Sequence, residues 1–330
     1  MAALANTFMT TNAVGNREEL SDVVSRITPE DTPLWSMIGS ETADSKHPEW
    51  EIDDLGAPEN VARPEGDEFT FASITPPVRV GNYAEIKRRD WIISASQDAV
   101  SNAGRVEQTK EQKLKKGVQI RKDFELAFLS NTASVATDPR RLGGLPSWLV
   151  TNVSRGATGA NGGYSTGTGL TVAATNGTQR AFTKTLLDQT ANLGYINGAN
   201  FKTLMVSPYV KSVFVTFMSD ANVASFRYAA EGSGKNTVVA TADLYEGPFG
   251  KLTVTPNRVM AFSAATARNA FLIDPEMLSK KVLRKIHNVK DLAKTGDAEK
   301  GVIIGEMTLK VKNEKGLGVI ADIFGLSATT

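Results

Sequence analysis

Cysteine is missing from this chain of 330 residues, and histidine is nearly missing. The absence of thiols excludes disulfide bonds, thiolate metal sites and a cysteine nucleophile, and it fits synthesis in a reducing cytoplasm. The two histidines, His47 and His287, lie far apart with no acidic cluster at ligand spacing beside them. A metal site needs several ligands close together, so we expect no bound metal.

Excess charge and long apolar runs are also lacking. Thirty-seven basic residues nearly balance 36 acidic ones, and the formal net charge is +1. This balance gives no general reason for tight binding to nucleic acid or to an anionic membrane. No stretch approaches the roughly 18 consecutive apolar residues of a membrane span, and the first residues lack the basic region of a signal peptide. We therefore expect a soluble chain with no membrane partner.

Catalytic motifs fail wherever the sequence suggests them. Asp53 and Asp54 are adjacent, so on a strand they point to opposite sides and cannot act as paired carboxylates. The segment "EGSGKNT" (residues 231–237) has Asn236 where a phosphate-binding loop has Ser or Thr. The glycines of "GATGANGG" (residues 156–163) neither follow an apolar strand nor precede a helix. We predict no catalytic residue, no cofactor and no enzymatic activity.

The segment "NREELSDVVSRITPEDTPLWSMIG" (residues 16–39) begins like a helix and then stops. Asn16 is a plausible N-cap, and apolar residues follow at helical spacing up to Ile27. Pro29 and Pro33 then remove two backbone donors. The apolar cluster that follows is too short to form a core, so we expect it to be covered by a partner. Its members are Leu34, Trp35, Met37 and Ile38.

Two strands, at residues 49–54 and 78–96, enclose a segment rich in proline, glycine and acidic residues. This pattern predicts an extended two-stranded loop, which is marginally stable alone and needs a surface to lie on. Basic residues of the second strand could pair with acidic stretches at residues 30–31, 53–54 and 65–68. These basic residues are Arg79, Lys87, Arg88 and Arg89.

Residues 97–130 carry the longest helical pattern, with an apolar stripe that includes Val100, Leu114, Phe124 and Phe128. Such a helix would span about 50 Å, although Gly104 and Gly117 could bend or split it. Its opposite face is basic, and a solvated face that includes a Glu111–Lys115 pair is the favoured interpretation over a phosphate-binding face.

The remainder predicts an α/β unit followed by a β-rich segment. Residues 154–178 read as a partly flexible Gly/Thr-rich surface loop. After it come a helix at 182–193, a strand at 201–207, a helix from Pro208 to Met218 and a strand at 251–255. From residue 271 onward strands dominate, and the turn "NEKG" predicts a long antiparallel hairpin near the C-terminus.

This order of elements resembles the major capsid proteins of tailed bacteriophages, and specifically a family from large-headed phages. The likeness rests on "NREELSDVVSRITPEDTPLWSMIG", "HPEWEIDDL", "EGDEF", "TPPVRVGNYAEIKRRDWIISASQDAVSNAGR", "KDFELAFL" and "GGLPSW". Beyond Trp148 it rests on layout alone. The resemblance implies the α+β fold shared by tailed-phage and herpesvirus capsids, divided into five parts. These are an N-terminal arm (1–45), an extended two-stranded loop (46–96), a spine helix of the peripheral domain (97–135), an axial domain (136–256) and peripheral-domain strands with the C-terminus (257–330).

The resemblance also implies a function. The chain would assemble with itself through hexamers and pentamers into an icosahedral virion shell around double-stranded DNA, with portal, scaffold and decoration proteins as further partners, after synthesis in the host bacterial cytoplasm. We expect contacts between subunits at Leu34, Trp35, Met37, Ile38, Trp50, Arg79, Lys87, Arg88, Arg89 and Trp91. Weak, non-specific DNA contacts would come from Lys113, Lys116 and Lys122.

Two rival interpretations stay open at this point. An encapsulin-like compartment shell resembles the same fold and would be equally devoid of catalytic motifs. A β-rich carbohydrate-active enzyme is suggested by scattered carboxylates and four tryptophans, Trp35, Trp50, Trp91 and Trp148. The size of the assembled particle separates them, because an enzyme would form a small oligomer at most.

Overall fold

The architecture is α+β, with two main sheets and two short two-stranded ones. The computed structural model describes residues 30–56, 58–68, 71, 73–100, 108–165, 168–216, 243–289, 292–293 and 296–325. The predicted helix at 16–27, the 231–237 turn and Gly104 lie outside these residues. In chain order the helices are α1 (Pro33–Met37), α2 (Ala95–Ala99), α3 (Gln108–Leu129), α4 (Lys184–Ile196), α5 (Pro208–Val215) and α6 (Ala264–Ala267).

Fourteen strands complete the described part of the chain. They are β1 (Gly39–Thr42), β2 (Glu49–Ile52), β3 (Val78–Gly81), β4 (Glu85–Ser94), β5 (Val153–Ser154), β6 (Gly163–Tyr164), β7 (Thr171–Val172), β8 (Thr203–Val206), β9 (Leu244–Gly247), β10 (Gly250–Pro256), β11 (Ala270–Ile273), β12 (Leu278–Asn288), β13 (Ala298–Val311) and β14 (Leu317–Ile320).

The first main sheet has the order β1-β12-β13-β4. Its centre is the long antiparallel pair β12–β13, and β13 also pairs antiparallel with β4. The short β1 adds in parallel to β12, with Gly39 opposite Ser279. Helix α3 packs on this sheet, and Gly305 allows the close approach: a Cβ there would lie 3.3 Å from the Phe124 ring. The larger hydrophobic core lies beneath this helix.

The predicted spine helix is shorter than its sequence pattern. The structure has two helices, α2 and α3, separated by residues 101–107, which lie outside the described residues. Gly117 does not interrupt α3. Phe124 and Phe128 are fully buried as predicted, but Leu114 is 72% exposed and Val100 is 61% exposed, so the stripe is wrong at these two positions. The reason is that only the C-terminal half of α3 packs against apolar residues.

The strand predicted at residues 78–96 is two strands, β3 and β4. The break falls at Asn82, whose side-chain nitrogen donates to the carbonyls of Gly143 (3.0 Å) and Leu309 (2.7 Å). Its side-chain oxygen accepts from the Gly143 amide at 2.7 Å. This buried amide fixes the point where the chain leaves its partner β2 and joins β13. A side chain that caps backbone groups competes with strand pairing, which explains the break.

The hairpin predicted around "NEKG" is wrong. β13 pairs with β12 and β4, whereas β14 joins the other main sheet. The turn itself is a 3₁₀ turn at Glu314–Gly316. The buried Glu314 carboxylate accepts hydrogen bonds from the amides of Val150 (3.1 Å) and Thr151 (3.2 Å), which directs the chain away from β13.

The second main sheet has the order β5-β14-β11-β8-β10-β9. The predicted α/β elements are present in it, with Pro208 in the first turn of α5 and the Ser207 hydroxyl accepting from the Val210 amide. Helix α5 is described from Pro208 to Val215, and its predicted end at Met218 lies outside the described residues. β11 and β14 lie in this sheet rather than with the long strands β12 and β13. Both β11 and β14 are fully buried, as inner strands require. The division of the chain into five parts stays a prediction.

The described residues of the Gly/Thr-rich segment at 154–178 fold back on themselves, and many of them are exposed, as a surface loop requires. β6 and β7 pair antiparallel, and Ala160 bridges Thr175. The Thr171 hydroxyl accepts from the Ser134 amide at 2.8 Å, and the Arg268 guanidinium donates to the Gly177 carbonyl at 2.6 Å. These bonds attach the segment to the chain after α3 and to the residue that follows α6.

Candidate functional site

The two-stranded loop places a long exposed segment beyond its base. β2 and β3 pair antiparallel, as predicted, with Trp50 opposite Val80. Every described residue from 53 to 77, here called the distal loop, is exposed. It carries large apolar side chains: Leu55 is 100% exposed, and Phe71 and Ile74 are each 94% exposed. Apolar exposure on this scale marks an interaction surface.

The base of this loop is held firmly to the rest of the chain. The Trp50 indole donates to the Val311 carbonyl at 2.8 Å, and its ring stacks on the buried Trp148 with 5.4 Å between centroids. The amide of Gly81, at the end of β3, donates to the Gly169 carbonyl at 3.0 Å. Trp50 is therefore engaged within its own chain, and a rigid base projects the distal loop outward.

The premise that the N-terminal apolar cluster has no partner within its chain is wrong. Residues 30–44, here called the arm base, pack on α3 and β12. Leu34 is 0% exposed and Ile38 is 4% exposed. Trp35 stacks on Phe128 with 6.3 Å between ring centroids. The sequence pattern could not reveal this, because α3 lies far along the chain. Contact of a neighbouring copy with the half-buried Trp35 and Met37 stays a prediction.

A buried carboxylate on α3 holds the arm base in place. The two Glu125 oxygens accept from the amides of Leu34 (2.9 Å) and Trp35 (2.7 Å), and Asn257 donates to the same carboxylate at 2.7 Å. Burial raises the pKa of Glu125, and these three hydrogen bonds oppose that rise. The Lys280 ammonium donates to the Trp35 carbonyl at 2.6 Å and lies over its ring. Burial lowers the pKa of Lys280.

A second carboxylate holds the other end of the arm base. Glu41 on β1 accepts from the Ser279 hydroxyl at 2.8 Å and from Lys310 at 3.0 Å, and it pairs with Lys281 at 3.1 Å. Burial alone would raise the pKa of Glu41, but these three partners outweigh it and lower the pKa to about 2. Glu41 therefore joins β1 to both β12 and β13 through charge.

The predicted basic residues mostly find acidic partners other than the expected stretches. Arg79 pairs with Glu49, and Lys87 pairs with Glu85. Arg89 makes two hydrogen bonds of 2.6 Å to Asp123 on α3. Arg88 is exposed, and within the described ranges it makes no ion pair. Of the four, Arg88 is the residue left available for a partner.

The acidic stretches are also partly engaged. Asp31 lies 3.8 Å from Arg258, and Asp54 accepts from Lys315 at 2.8 Å. In the distal loop, Asp67 lies 3.9 Å from Arg63, and Glu65 and Glu68 are exposed. The distal loop therefore presents acidic groups beside its apolar ones.

Trp91 lies on β4 directly opposite Gly301 of β13. A Cβ on Gly301 would fall 2.0 Å from the indole ring, so the ring covers the glycine backbone. Trp91 is half-buried and packs against the larger core. Like Trp50, it has a partner within its chain, and only its exposed part is left for a neighbouring copy.

The titratable residues considered for catalysis do not come together. Among the residues that the structure describes, no three His, Asp or Glu side chains are grouped as metal ligands. His47 stacks on Tyr83 with 4.1 Å between ring centroids, and burial lowers its pKa. His287 is exposed near the end of β12. No described helix is long and apolar enough to span a membrane.

A family model described as SU10 major capsid protein matches residues 6–324. The chain belongs to this family. A curated relative, the major capsid protein of Escherichia phage Phieco32, is 28% identical over 148 residues. That match covers 41% of this chain and 42% of the relative, so it spans less than half of the relative's length.

Solved structures show the same fold at low sequence identity. A chain from the capsid of a native GTA particle gives a TM-score of 0.64 at 12% identity, over 96% of this capsid protein and 98% of that chain. A chain from Gordonia phage Cozz gives a TM-score of 0.60 at 11% identity, over 98% of this capsid protein and 97% of that chain. A chain from Mycobacterium phage Bobi gives a TM-score of 0.58 at 14% identity, over 94% of this capsid protein and 96% of that chain. The fold of this capsid protein is that of tailed-phage capsids.

The basic side of α3 in this capsid protein is only partly solvated. Lys115 pairs with Glu111 at 2.7 Å, as predicted. Lys113 and Lys116 are half-buried, and Lys122 lies over the Phe262 ring with 5.2 Å to its centroid. The expected DNA contacts of Lys113, Lys116 and Lys122 therefore stay predictions, with Lys122 already engaged by an aromatic ring.

Proposed function

We propose that the chain is the structural subunit of an icosahedral virion shell, assembled through hexamers and pentamers around packaged double-stranded DNA. The observation that carries the proposal is the exposed distal loop on its firmly held base. A monomer gains nothing from exposing Leu55, Phe71 and Ile74, whereas a neighbouring copy that covers them removes apolar surface from water. Family membership supports this assignment over an encapsulin-like shell or a carbohydrate-active enzyme.

In this proposal the subunit works by repeated packing and has no enzymatic role. Each copy offers its distal loop to one neighbour and receives the loop of another, a head-to-tail contact that closes into rings. The acidic residues Glu65 and Glu68 on the loop favour a basic receiving surface, and the exposed Arg88, which forms no ion pair with a described residue, is suited to it.

Further partners are proposed on the same basis. Portal, scaffold and decoration proteins would complete the particle, and the chain would be made in the host bacterial cytoplasm before it enters the virion. DNA would be packaged by a motor, since a net charge of +1 gives the subunit little affinity of its own. Contacts from Lys113, Lys116 and Lys122 would be weak and would fade as salt rises.

Negative-stain electron microscopy and gel filtration of the purified chain test the proposal. We expect the unsubstituted chain, here called the parent, to form capsomers or closed shells. The double variant Phe71→Ser/Ile74→Ser should keep the parental melting temperature but remain as free subunits. Val172→Ser, at a residue that is 53% exposed on β7, is the matched control and should assemble. A double variant that assembles as well as the parent would refute the role of the distal loop.

A further inference from the structure

The first main sheet ends on β4, and among the residues that the structure describes no strand pairs with its outer side. β4 is ten residues long and pairs with β13 along its inner side. An edge strand presents a row of backbone N–H and C=O groups that another strand can bind. Proteins commonly protect such an edge with charged side chains, so the charges on β4 decide which partner it admits.

The side chains of β4 divide into two faces, because successive residues of a strand point to opposite sides. The odd-numbered residues belong to the inner face, where Arg89 binds Asp123 of α3 and Trp91 packs against the larger core. The even-numbered residues are all exposed and form the outer face. Along the strand they are Ile86, Arg88, Asp90, Ile92 and Ser94.

The two charges on the outer face lack a partner across the sheet. On β13, Ile304 lies opposite Arg88, and Val302 lies opposite Asp90. Neither charged residue forms an ion pair with any residue in the described ranges. The flanking apolar residues are also uncovered, since Ile86 is 43% exposed and Ile92 is 63% exposed. The outer face therefore offers an apolar, a basic, an acidic and an apolar residue in that order.

This order is self-complementary when two copies of β4 run antiparallel. With a two-fold axis at position 89, Arg88 lies opposite the partner's Asp90, and Ile86 lies opposite the partner's Ile92. An axis at position 88 would set Arg88 against the partner's Arg88, and an axis at position 90 would set two Asp90 side chains together. Like charges directly opposite each other are destabilising, so the pattern selects the register centred on position 89.

The inner face tolerates the same register. Arg89 lies opposite the partner's Arg89, but each guanidinium makes two hydrogen bonds of 2.6 Å to Asp123 of its own chain, which offsets its charge. Lys87 lies opposite the partner's Trp91, a pairing that permits cation–π contact. Neither face therefore opposes the pairing of the two strands.

We propose that β4 pairs antiparallel with β4 of a second copy of this chain, about a two-fold axis at position 89. The pairing joins the four-stranded sheets of the two copies into one continuous sheet. Both copies use the same surface, so this contact differs from the head-to-tail contact of the distal loop and is additional to it. A guanidinium has five N–H donors, so Arg88 can bind the partner's Asp90 and also an acidic residue of a distal loop.

Disulfide trapping tests the register directly, because the chain has no native cysteine. In the full-length chain, Ile86→Cys/Ile92→Cys places thiols of the two copies opposite each other. Within one strand the two positions lie about 20 Å apart, so they cannot join in the same chain. The controls are Ile86→Cys alone and Ile92→Cys alone, whose thiols lie equally far apart in the pair. We expect the double variant to form linked dimers at least about tenfold faster than either control.

Peptide mass spectrometry of the linked dimers identifies the positions that are joined. We expect position 86 of one chain to be linked to position 92 of the other. Adding Arg88→Asp to the double variant should slow trapping, because it sets two acidic residues together, and adding Asp90→Arg as well should restore the rate. The charge exchange leaves both cysteines in place, so it tests the contact independently of disulfide geometry.

Two outcomes would overturn the β4 contact. One is trapping of the double variant at the rate of the controls together with no effect of the charge exchange. The other is linkage mainly between like positions, which would require another register. The result is separable from the proposed function. A chain that links positions 86 and 92 but forms no capsomers contradicts only the shell, whereas a chain that forms shells without this linkage and without a charge-exchange effect contradicts only the β4 contact.

Discussion

The arm base and the distal loop look alike in the sequence but behave as opposites in the structure. Both are short, both carry several acidic residues, and both have apolar side chains that have no nearby sequence partner. Yet Leu34 is fully buried, whereas Phe71 is 94% exposed. The difference lies in what holds each backbone. Glu125 accepts hydrogen bonds from the arm base, and Glu41 within it accepts them from β12 and β13. Among the described residues of the distal loop, Asp54 at its start is attached to Lys315. Apolar content alone does not decide where a segment is buried.

Chymotrypsin digestion should give the largest difference between the two segments. Free subunits should be cut after Leu55 and Phe71 at least about a hundredfold faster than after Trp35, because the latter requires local opening of the arm base. Timed digestion followed by mass spectrometry measures both rates, and assembled shells should protect the distal loop. Equal rates in free subunits would contradict the burial of the arm base.

Truncation of one apolar side chain in each segment compares their contributions to the fold. Leu34→Ala should lower the free energy of unfolding by about 3 kcal/mol, because it leaves a cavity beneath α1. Ile74→Ala should change it by less than about 0.5 kcal/mol and should instead weaken assembly. Denaturant titration of free subunits and the critical assembly concentration provide the two measurements. Equal losses of stability in the two variants would contradict the distinction between a buried arm base and an exposed distal loop.

Removal of the Glu125 carboxylate, which binds α1, should lower the free energy of unfolding somewhat less than Leu34→Ala does. Glu125→Ala leaves the Leu34 and Trp35 amides without their acceptor, and we expect a loss of about 2 kcal/mol. Glu125→Gln keeps one acceptor oxygen and should lose about half as much. Thermal unfolding measures both, and the chymotrypsin cut after Trp35 should accelerate in the same order. If the two variants matched the parent, Glu125 would have no part in holding the arm base.

Acid should loosen the arm base through Glu41. Its folded-state pKa of about 2 lies below its ordinary value of 4.5. Stability from this group is therefore present above about pH 4.5 and is lost as the pH falls towards 2. Because the Glu41 side chain is 32% exposed, solvent screening reduces the loss to about 1 kcal/mol. Unfolding of Glu41→Gln should lack this part of the pH dependence, and an identical profile for parent and variant would contradict it.

The sequence predicted what local signals specify and missed what distant residues decide. The β2–β3 pair, helix α4 and the Pro208 start of α5 follow from alternation, capping and turn residues near them. The burial of Leu34 depends on Glu125, 91 positions away. Likewise β14 leaves its expected hairpin because Glu314 binds the amides of Val150 and Thr151. Such long-range partners leave no periodic trace. The exposure of the distal loop could be predicted, because no distant residue covers the part of it that the structure describes.

Two neighbouring arginines on β4 allow the most specific test, which has the smallest expected effect on stability. Arg89 makes a bidentate contact with Asp123, so Arg89→Glu places two like charges together and should lower subunit stability by up to about 1 kcal/mol. Arg88 is exposed, and no described residue forms an ion pair with it, so Arg88→Glu should leave stability unchanged within about 0.5 kcal/mol.

The effect of Arg88→Glu should instead appear in assembly. If Arg88 receives acidic residues such as Glu65 or Glu68 from a neighbouring distal loop, charge reversal raises the critical assembly concentration. The increase should be greater at low salt than at high salt, because ions screen exposed charges. Light scattering at two ionic strengths measures it, with Lys46→Glu at another exposed basic position as the control. An increase that is the same at both ionic strengths would mean that Arg88 acts through shape rather than charge. No increase at all would remove Arg88 from the interface and leave the distal loop to bind by its apolar residues alone.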